Sequence, residues 1–307
     1  MNILFAGTPQ PSAKILRALC NEASLNVVGV ITKPDKAQKR GNKIERSPVC
    51  IEAIRQKLNV FKPECLNNQE LRKSIEALNI DYIVVAAYGK ILPKWLLEFP
   101  NIMPINIHYS LLPKYRGASP IQSSLLNNDS KSGITFMKMS EGLDDGDCIE
   151  QYEIDIENNH NKITLENDLC DLSISKILGI LHGVKNHKYD LIKQDDRAAS
   201  YCSKIEKSDS LVNFTETANQ IYNKFKAYYE WPGVSFKHKN TLIKIKDMYL
   251  ANDNDIDLLG KEIYLSKHGL YIKTSSKTIV ITYLQFPNKN IISASDAFNS
   301  YKDFFNG

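Results

Sequence analysis

Four apolar runs near the start of the chain constrain its fold more than any other feature: Asn2–Ala6, Val27–Ile31, Asp81–Ala87 and Met103–His108. They carry few polar positions, so they read as strands buried on both faces rather than half-exposed ones. Segments of helical spacing lie between them. Ser12–Cys20 places Ile15, Leu16 and Leu19 on one face, and Ile51–Leu58 and Glu70–Leu78 follow the same period. Alternation of this kind implies a parallel sheet in an α/β domain. Sites in such sheets gather at the carboxyl ends of strands. Gly133–Met139 and Cys148–Ile154 read as further strands, and a long helix is predicted from about Thr164 to Leu181, with Thr164 as its N-cap.

The pattern changes after a polar stretch, Lys185–Ser203, that reads as a linker. One amphipathic helix, Thr217–Tyr229, is followed by the short strands Val234–His238, Leu242–Leu250, Lys261–Ser266, Leu270–Thr274 and Thr278–Phe286, and then a last helix, Ser293–Phe305. Close-spaced strands with turn signals between them predict a small β-barrel or sandwich. A length of 307 residues suits two domains. The expected division is 1–188, a linker at 189–206, and 207–307.

Composition excludes several classes. With 43% apolar and 24% charged residues the chain has ample material for a core, which argues against intrinsic disorder. The six cysteines are scattered with no Cys-x-x-Cys pair, against a zinc site or a disulfide framework. The longest apolar stretch, Tyr82–Phe99, is broken by Lys90, Pro93, Lys94 and Glu98, so no transmembrane helix fits there. The start of the chain has no basic region and too short an apolar run for a signal peptide. The expectation is a cytoplasmic, monomeric protein with no membrane partner and no metal.

Four places could carry chemistry. Gly7-Thr8-Pro9 lacks the glycine patterns of dinucleotide and P-loop sites and reads first as a tight strand-to-helix turn, with the border of a ligand site as the second reading. Asn106 and His108 stand two apart at the end of an apolar strand, on one side of it. A strand-end histidine is more often structural, but an amide and an imidazole aimed at one point could hold and polarise a carbonyl, and histidine suits proton transfer near neutrality. Glu141–Asp147 is an acidic turn that does not match a calcium loop. It reads either as a solvated turn or as the source of a carboxylate that orients His108. Thr32–Arg46 holds Lys33, Lys36, Lys39, Arg40, Lys43 and Arg46 against Asp35 and Glu45, a charge excess equal to the +4 of the whole chain. It reads either as a solvated loop or, being long for a connection after a strand, as a binding loop for a polyanion.

Asn106-x-His108-x-Ser110-Leu111-Leu112-Pro113, the following Lys114-Tyr115-Arg116-Gly117-Ala118-Ser119-Pro120-Ile121, and Gly142-Leu143-Asp144-x-Gly146-Asp147 together resemble the signature of the folate-dependent formyltransferase family. Phe5–Pro9, Ala86–Pro93, the basic loop ending in Ser47-Pro48-Val49, and Tyr229–Gly233 extend the resemblance essentially end to end, strongly over the first two-thirds and weakly over the barrel. The resemblance implies a Rossmann-like parallel-sheet formyltransferase domain followed by an OB-like β-barrel. It implies transfer of a formyl group from 10-formyltetrahydrofolate to the methionine amino group of initiator methionyl-tRNA, for translation initiation. Asn106, His108 and Asp144 would then be the catalytic trio. Ser110, Leu111, Leu112 and Pro113 would contact the folate. The basic loop, through Lys36, Lys39, Arg40 and Lys43, and the barrel would engage the tRNA. Three positions depart from the pattern: Tyr109 is bulkier than usual and adjoins the site, Ser119 replaces a common alanine, and Asp145 a common threonine.

Two other readings compete. A formyltransferase acting on an amino-sugar nucleotide would share the trio but has no need of the basic loop. A catalytically silent RNA-binding protein would use the loop and the barrel, where Lys237, Lys239, Lys244 and Lys246 lie near Phe236 and Tyr249, residues that read at least as well as a solvated strand face, but would not need Asn106, His108 and Asp144.

Overall fold

The computed structural model describes residues 1–37, 44–251 and 261–307. They divide into two compact units, the first made of Met1–Pro120, Ser130–Ile156 and Thr164–Ser203, the second of Ile121–Asp129, Glu157–Ile163 and Lys204–Gly307.

The first unit is built on β1 (Asn2–Gly7), α1 (Gln10–Cys20), β2 (Asn26–Ile31), the two-residue strands β3 (Lys36–Ala37) and β4 (Ile44–Glu45), α2 (Pro48–Arg55), β5 (Val60–Phe61), α3 (Gln69–Glu76), β6 (Tyr82–Ala86), α4 (Lys94–Leu97) and β7 (Met103–His108). Then come β8 (Arg116–Gly117), β9 (Lys131–Lys138), β10 (Cys148–Asp155), α6 (Lys162–Lys185) and β11 (Tyr201–Cys202), while α5 (Pro120–Leu126) belongs from Ile121 onward to the second unit. A seven-stranded sheet runs β10-β9-β7-β6-β1-β2-β5. From β7 to β5 every pairing is parallel, as the doubly buried apolar runs predict. Strands β9 and β10 join antiparallel, so the sheet is mixed at one side. All five residues of β6 are buried. Below it the Tyr82 hydroxyl donates to the Leu181 carbonyl of α6 at 2.8 Å, and burial pushes that phenol up to about 12.

Helix α2 begins at Pro48, ahead of the Ile51 start expected from its apolar spacing: the Ser47 side chain accepts from the Cys50 amide, and Pro48 occupies the first turn, where no amide is needed. Helix α6 begins at Lys162, two residues earlier than expected, so Thr164 lies in its first turn rather than capping it. The Asn161 side chain accepts from the Ile163 amide there. Residues 38–43, the centre of the basic loop, lie outside the described residues, and with them Lys39, Arg40 and Lys43. Lys36 is placed on β3, whose backbone pairs antiparallel with β4.

The second unit contains α7 (Ala218–Ala227), β12 (Val234–His238), β13 (Thr241–Leu250), β14 (Ile263–Leu265), β15 (Leu270–Lys273), β16 (Thr278–Gln285), β17 (Ile291–Ser293) and α8 (Ala294–Asn306). Its strands form an antiparallel, curled half-barrel in the order β12-β13-β16-β15-β14, with β17 also on β16. Phe236 is fully buried against Phe214, which removes it from the aromatic surface expected beside the lysines. Lys237, Lys244, Lys246 and Tyr249 are exposed. Among the described residues no helix is long and apolar enough to cross a membrane.

Candidate active site

Strand β7 sets the first two functional side chains. Ile105 and Ile107 fill the core on one face, which by alternation turns Asn106 and His108 to the other. Both are buried, yet both stand at the carboxyl end of the central parallel strands, where backbone carbonyls give way to loops. On the β9 side they are opposite Met137 and Thr135.

Asp144 comes from the loop between β9 and β10. Its carboxylate meets both: Oδ1 accepts from Asn106 Nδ2 at 3.3 Å, and Oδ2 lies 3.7 Å from His108 Nδ1. The Gly117 amide donates to Oδ2 at 2.9 Å. His108 Nε2 is 2.8 Å from the Tyr115 carbonyl, which can only accept, so Nε2 carries a proton and donates it there. That leaves Nδ1 facing the carboxylate across a gap wider than a hydrogen bond. The Asn106 and His108 side chains thus meet at the Asp144 carboxylate. Among the described residues no group of three or more His, Cys, Asp or Glu side chains is placed to hold a metal ion.

The segment after His108 is held by a relay centred on Thr135. Its hydroxyl donates to the Ser110 carbonyl at 2.6 Å and accepts from the Leu112 amide at 3.1 Å and from Gln151 Nε2 at 3.0 Å. Gln151 Nε2 also reaches the Leu112 carbonyl at 2.7 Å. Ser110 is buried with its hydroxyl donated to the Lys114 carbonyl at 2.6 Å. Leu112 is buried as well, whereas Leu111 and Pro113 are half-buried. Leu111 lies across Gly133 of β9: a Cβ at that glycine would come within 2.5 Å of its side chain. The four residues form one fixed turn beside the trio.

The three departures from the family pattern have structural accounts. Tyr109 points to α6, where burial raises its phenol well above its ordinary value beside Cys170 and Ser173. It therefore packs against a helix and adds no bulk next to Asn106 and His108. The Ser119 hydroxyl donates to the Ser203 carbonyl, and Asp145 accepts from Ser140 within the acidic loop.

Sequence reasoning missed the groups that hold the trio. Tyr115 and Gly117 act through backbone atoms, which side-chain chemistry does not reveal. Gln194, which belongs to a segment read as a linker, donates from Nε2 to the carbonyls of Asp144 at 2.9 Å and Gly146 at 2.7 Å. That segment has fixed partners up to Ser203: Arg116 and Gly117 of β8 pair with Tyr201 and Cys202 of β11.

An amide, an imidazole and a carboxylate gathered at the carboxyl edge of a parallel sheet are the elements of an acyl-group transfer site. The comparisons assign the class: the Formyl transferase family model matches residues 1–178 and the Formyl transferase, C-terminal domain model matches residues 204–302. The chain belongs to the formyl transferase family and is a formyl-transferring enzyme. It is 38% identical to the methionyl-tRNA formyltransferase of a Sulfurihydrogenibium species over 304 residues, covering 98% of this chain and 97% of that protein. It is 38% identical to the methionyl-tRNA formyltransferase of Caldicellulosiruptor saccharolyticus over 305 residues, with the same coverage. Among solved structures, the fold matches a sugar 3N-formyl transferase, WlaRD, with a TM-score of 0.68 at 20% identity, over 94% of this chain and 99% of that one. It also matches the methionyl-tRNA formyltransferase from Clostridium thermocellum with a TM-score of 0.57 at 18% identity, over 83% of this chain and 95% of that one.

Proposed function

We propose that the chain transfers a formyl group from 10-formyltetrahydrofolate to the methionine amino group of initiator methionyl-tRNA, in the cytoplasm, with Asn106, His108 and Asp144 as the catalytic residues. The observation that carries the chemistry is the convergence of these three side chains, within 3.3 and 3.7 Å of one another through Asp144. Both relatives of 38% identity bear the name of that activity. The sugar formyltransferase matches only at 20% identity, a likeness of fold.

Asn106 and His108 stand on the same face of β7, each beside the Asp144 carboxylate. An oxygen placed there receives both donors as charge grows on it, when the amine attacks the formyl carbon. Asp144 keeps the two donors aimed, and its negative charge faces the His108 ring. The amine gives up its proton as it becomes an amide, and His108, or a water held by Asp144, passes a proton to the folate nitrogen as the bond from that nitrogen to the formyl carbon breaks. The products are the formylated amine and tetrahydrofolate. Ser110, Leu111, Leu112 and Pro113 form the wall for the folate, with Leu111 and Pro113 the more exposed of the four. Lys36, Lys39, Arg40 and Lys43 and the exposed lysines of β12 and β13 supply positive charge for the tRNA backbone.

The test offers purified protein 10-formyltetrahydrofolate with methionyl-tRNA and, in parallel, with an amino-sugar nucleotide. Product on the tRNA alone is expected. Product on the sugar alone would keep the trio and discard the tRNA.

A further inference from the structure

We infer that Gln194, which lies between the two stretches matched by the family models, is a positioning residue for Asp144. The inference rests on the trio being the formyl-transfer site.

Asp144 has a φ of +50°, in the left-handed region that a residue with a side chain seldom occupies. Its loop is exposed at Glu141, Gly142, Leu143 and Asp145, so apolar packing does little to hold that conformation. Gln194 does. One amide nitrogen spans the loop, donating to the Asp144 carbonyl at 2.9 Å and the Gly146 carbonyl at 2.7 Å. Fixing the Asp144 carbonyl fixes its peptide plane, and with it the direction in which the carboxylate leaves the backbone.

Gln194 is itself held. It is buried, and its Oε1 accepts from Arg116 Nε at 3.0 Å. Arg116 only donates and the two loop carbonyls only accept, so the amide has a single orientation. The Arg116 side chain is 2% exposed and is anchored by Asp196 at 2.9 Å and by the Tyr201 hydroxyl at 3.3 Å. The next residue, Gly117, gives its amide to the Asp144 carboxylate. Asp144 is therefore gripped at its carbonyl by Gln194 and at its carboxylate by Gly117, and Arg116 ties the two grips together.

Gln194→Glu separates this role from simple packing. The carboxylate keeps the size and the Arg116 contact but has no N–H for the two carbonyls. The expected result is a fall in kcat of roughly 10–100-fold, with the KM for 10-formyltetrahydrofolate changed less than about threefold. In an Asp144→Asn background the same substitution should add little, because the residue it positions is already disabled. Amide hydrogen exchange in residues 140–147 should rise. An undiminished kcat, or losses that multiply in the double variant, would overturn the inference. Gln194→Leu removes the hydrogen bonds without a buried charge and serves if the glutamate variant unfolds. If the wild-type protein transfers no formyl group, the functional reading fails, and exchange in residues 140–147 then decides the positioning role alone: unchanged exchange in both variants rejects it.

Discussion

Replacing Asp144 by asparagine keeps the side chain's size but removes its charge and one of its acceptors. The carboxylate accepts from Gly117 N at 2.9 Å and Asn106 Nδ2 at 3.3 Å, and lies 3.7 Å from His108 Nδ1. An amide has one accepting oxygen, so its NH2 end must face one of the two donors, at a cost of about 1–3 kcal/mol. A carboxylate and a protonated imidazole 3.7 Å apart attract by about 4.5 kcal/mol at an effective dielectric constant of about 20. Asp144 is 17% exposed, so solvent screening takes part of that. A loss of about 3–4 kcal/mol at the transition state corresponds to a fall in kcat of roughly 10²–10³-fold. Donor binding should change less than about threefold, since Asp144 is assigned to charge and orientation rather than to the folate wall. Single-turnover rates at saturating donor, beside a separately measured donor dissociation constant, give both numbers. Equal losses in rate and donor binding would refute the reasoning and make Asp144 a structural residue.

Three further outcomes follow from other parts of the molecule. Gly117→Ala should destabilise the protein by about 2–4 kcal/mol in urea unfolding, because φ is +122° there and a Cβ would sit 2.3 Å from the Cys202 carbonyl. Neutralising Lys39, Arg40 and Lys43 together should weaken tRNA binding and reduce the slope of log affinity against log salt by up to about 2 to 3; an unchanged slope would remove the loop from tRNA recognition. The Arg17 guanidinium beside the buried Glu52 holds that carboxyl below its ordinary value of 4.5. The stability from this pair is therefore present above about pH 4.5 and is lost as pH falls through the lowered value, so Arg17→Met should be less stable than wild type in urea at pH 7, with the difference shrinking towards pH 3.

The parallel core was legible because a strand buried on both faces must be apolar at nearly every position, and β7 was placed residue for residue as Met103–His108. Strands β9 and β10 were located but not oriented: their antiparallel pairing depends on chain connections that a local pattern does not encode. The site divided the same way. Asn106 and His108 share a face by strand alternation alone. Asp144 lies 38 positions away, and only the resemblance tied it to His108. Gln194 carried no signal, since a lone glutamine in a polar stretch looks like any solvated residue until the fold sets it against Arg116. Phe236 failed in the opposite direction: its neighbouring lysines suggested a binding surface, while strand alternation turned the ring into the core.

One substitution, His108→Ala, read out in two ways, tests the catalytic trio most directly: the single-turnover rate of formyl transfer to initiator methionyl-tRNA, and equilibrium binding of the same tRNA. If Asn106, His108 and Asp144 carry out the transfer, the rate falls by roughly 10²–10⁴-fold while tRNA affinity stays within about threefold. Transfer at the wild-type rate would contradict that assignment and move the chemistry to other residues.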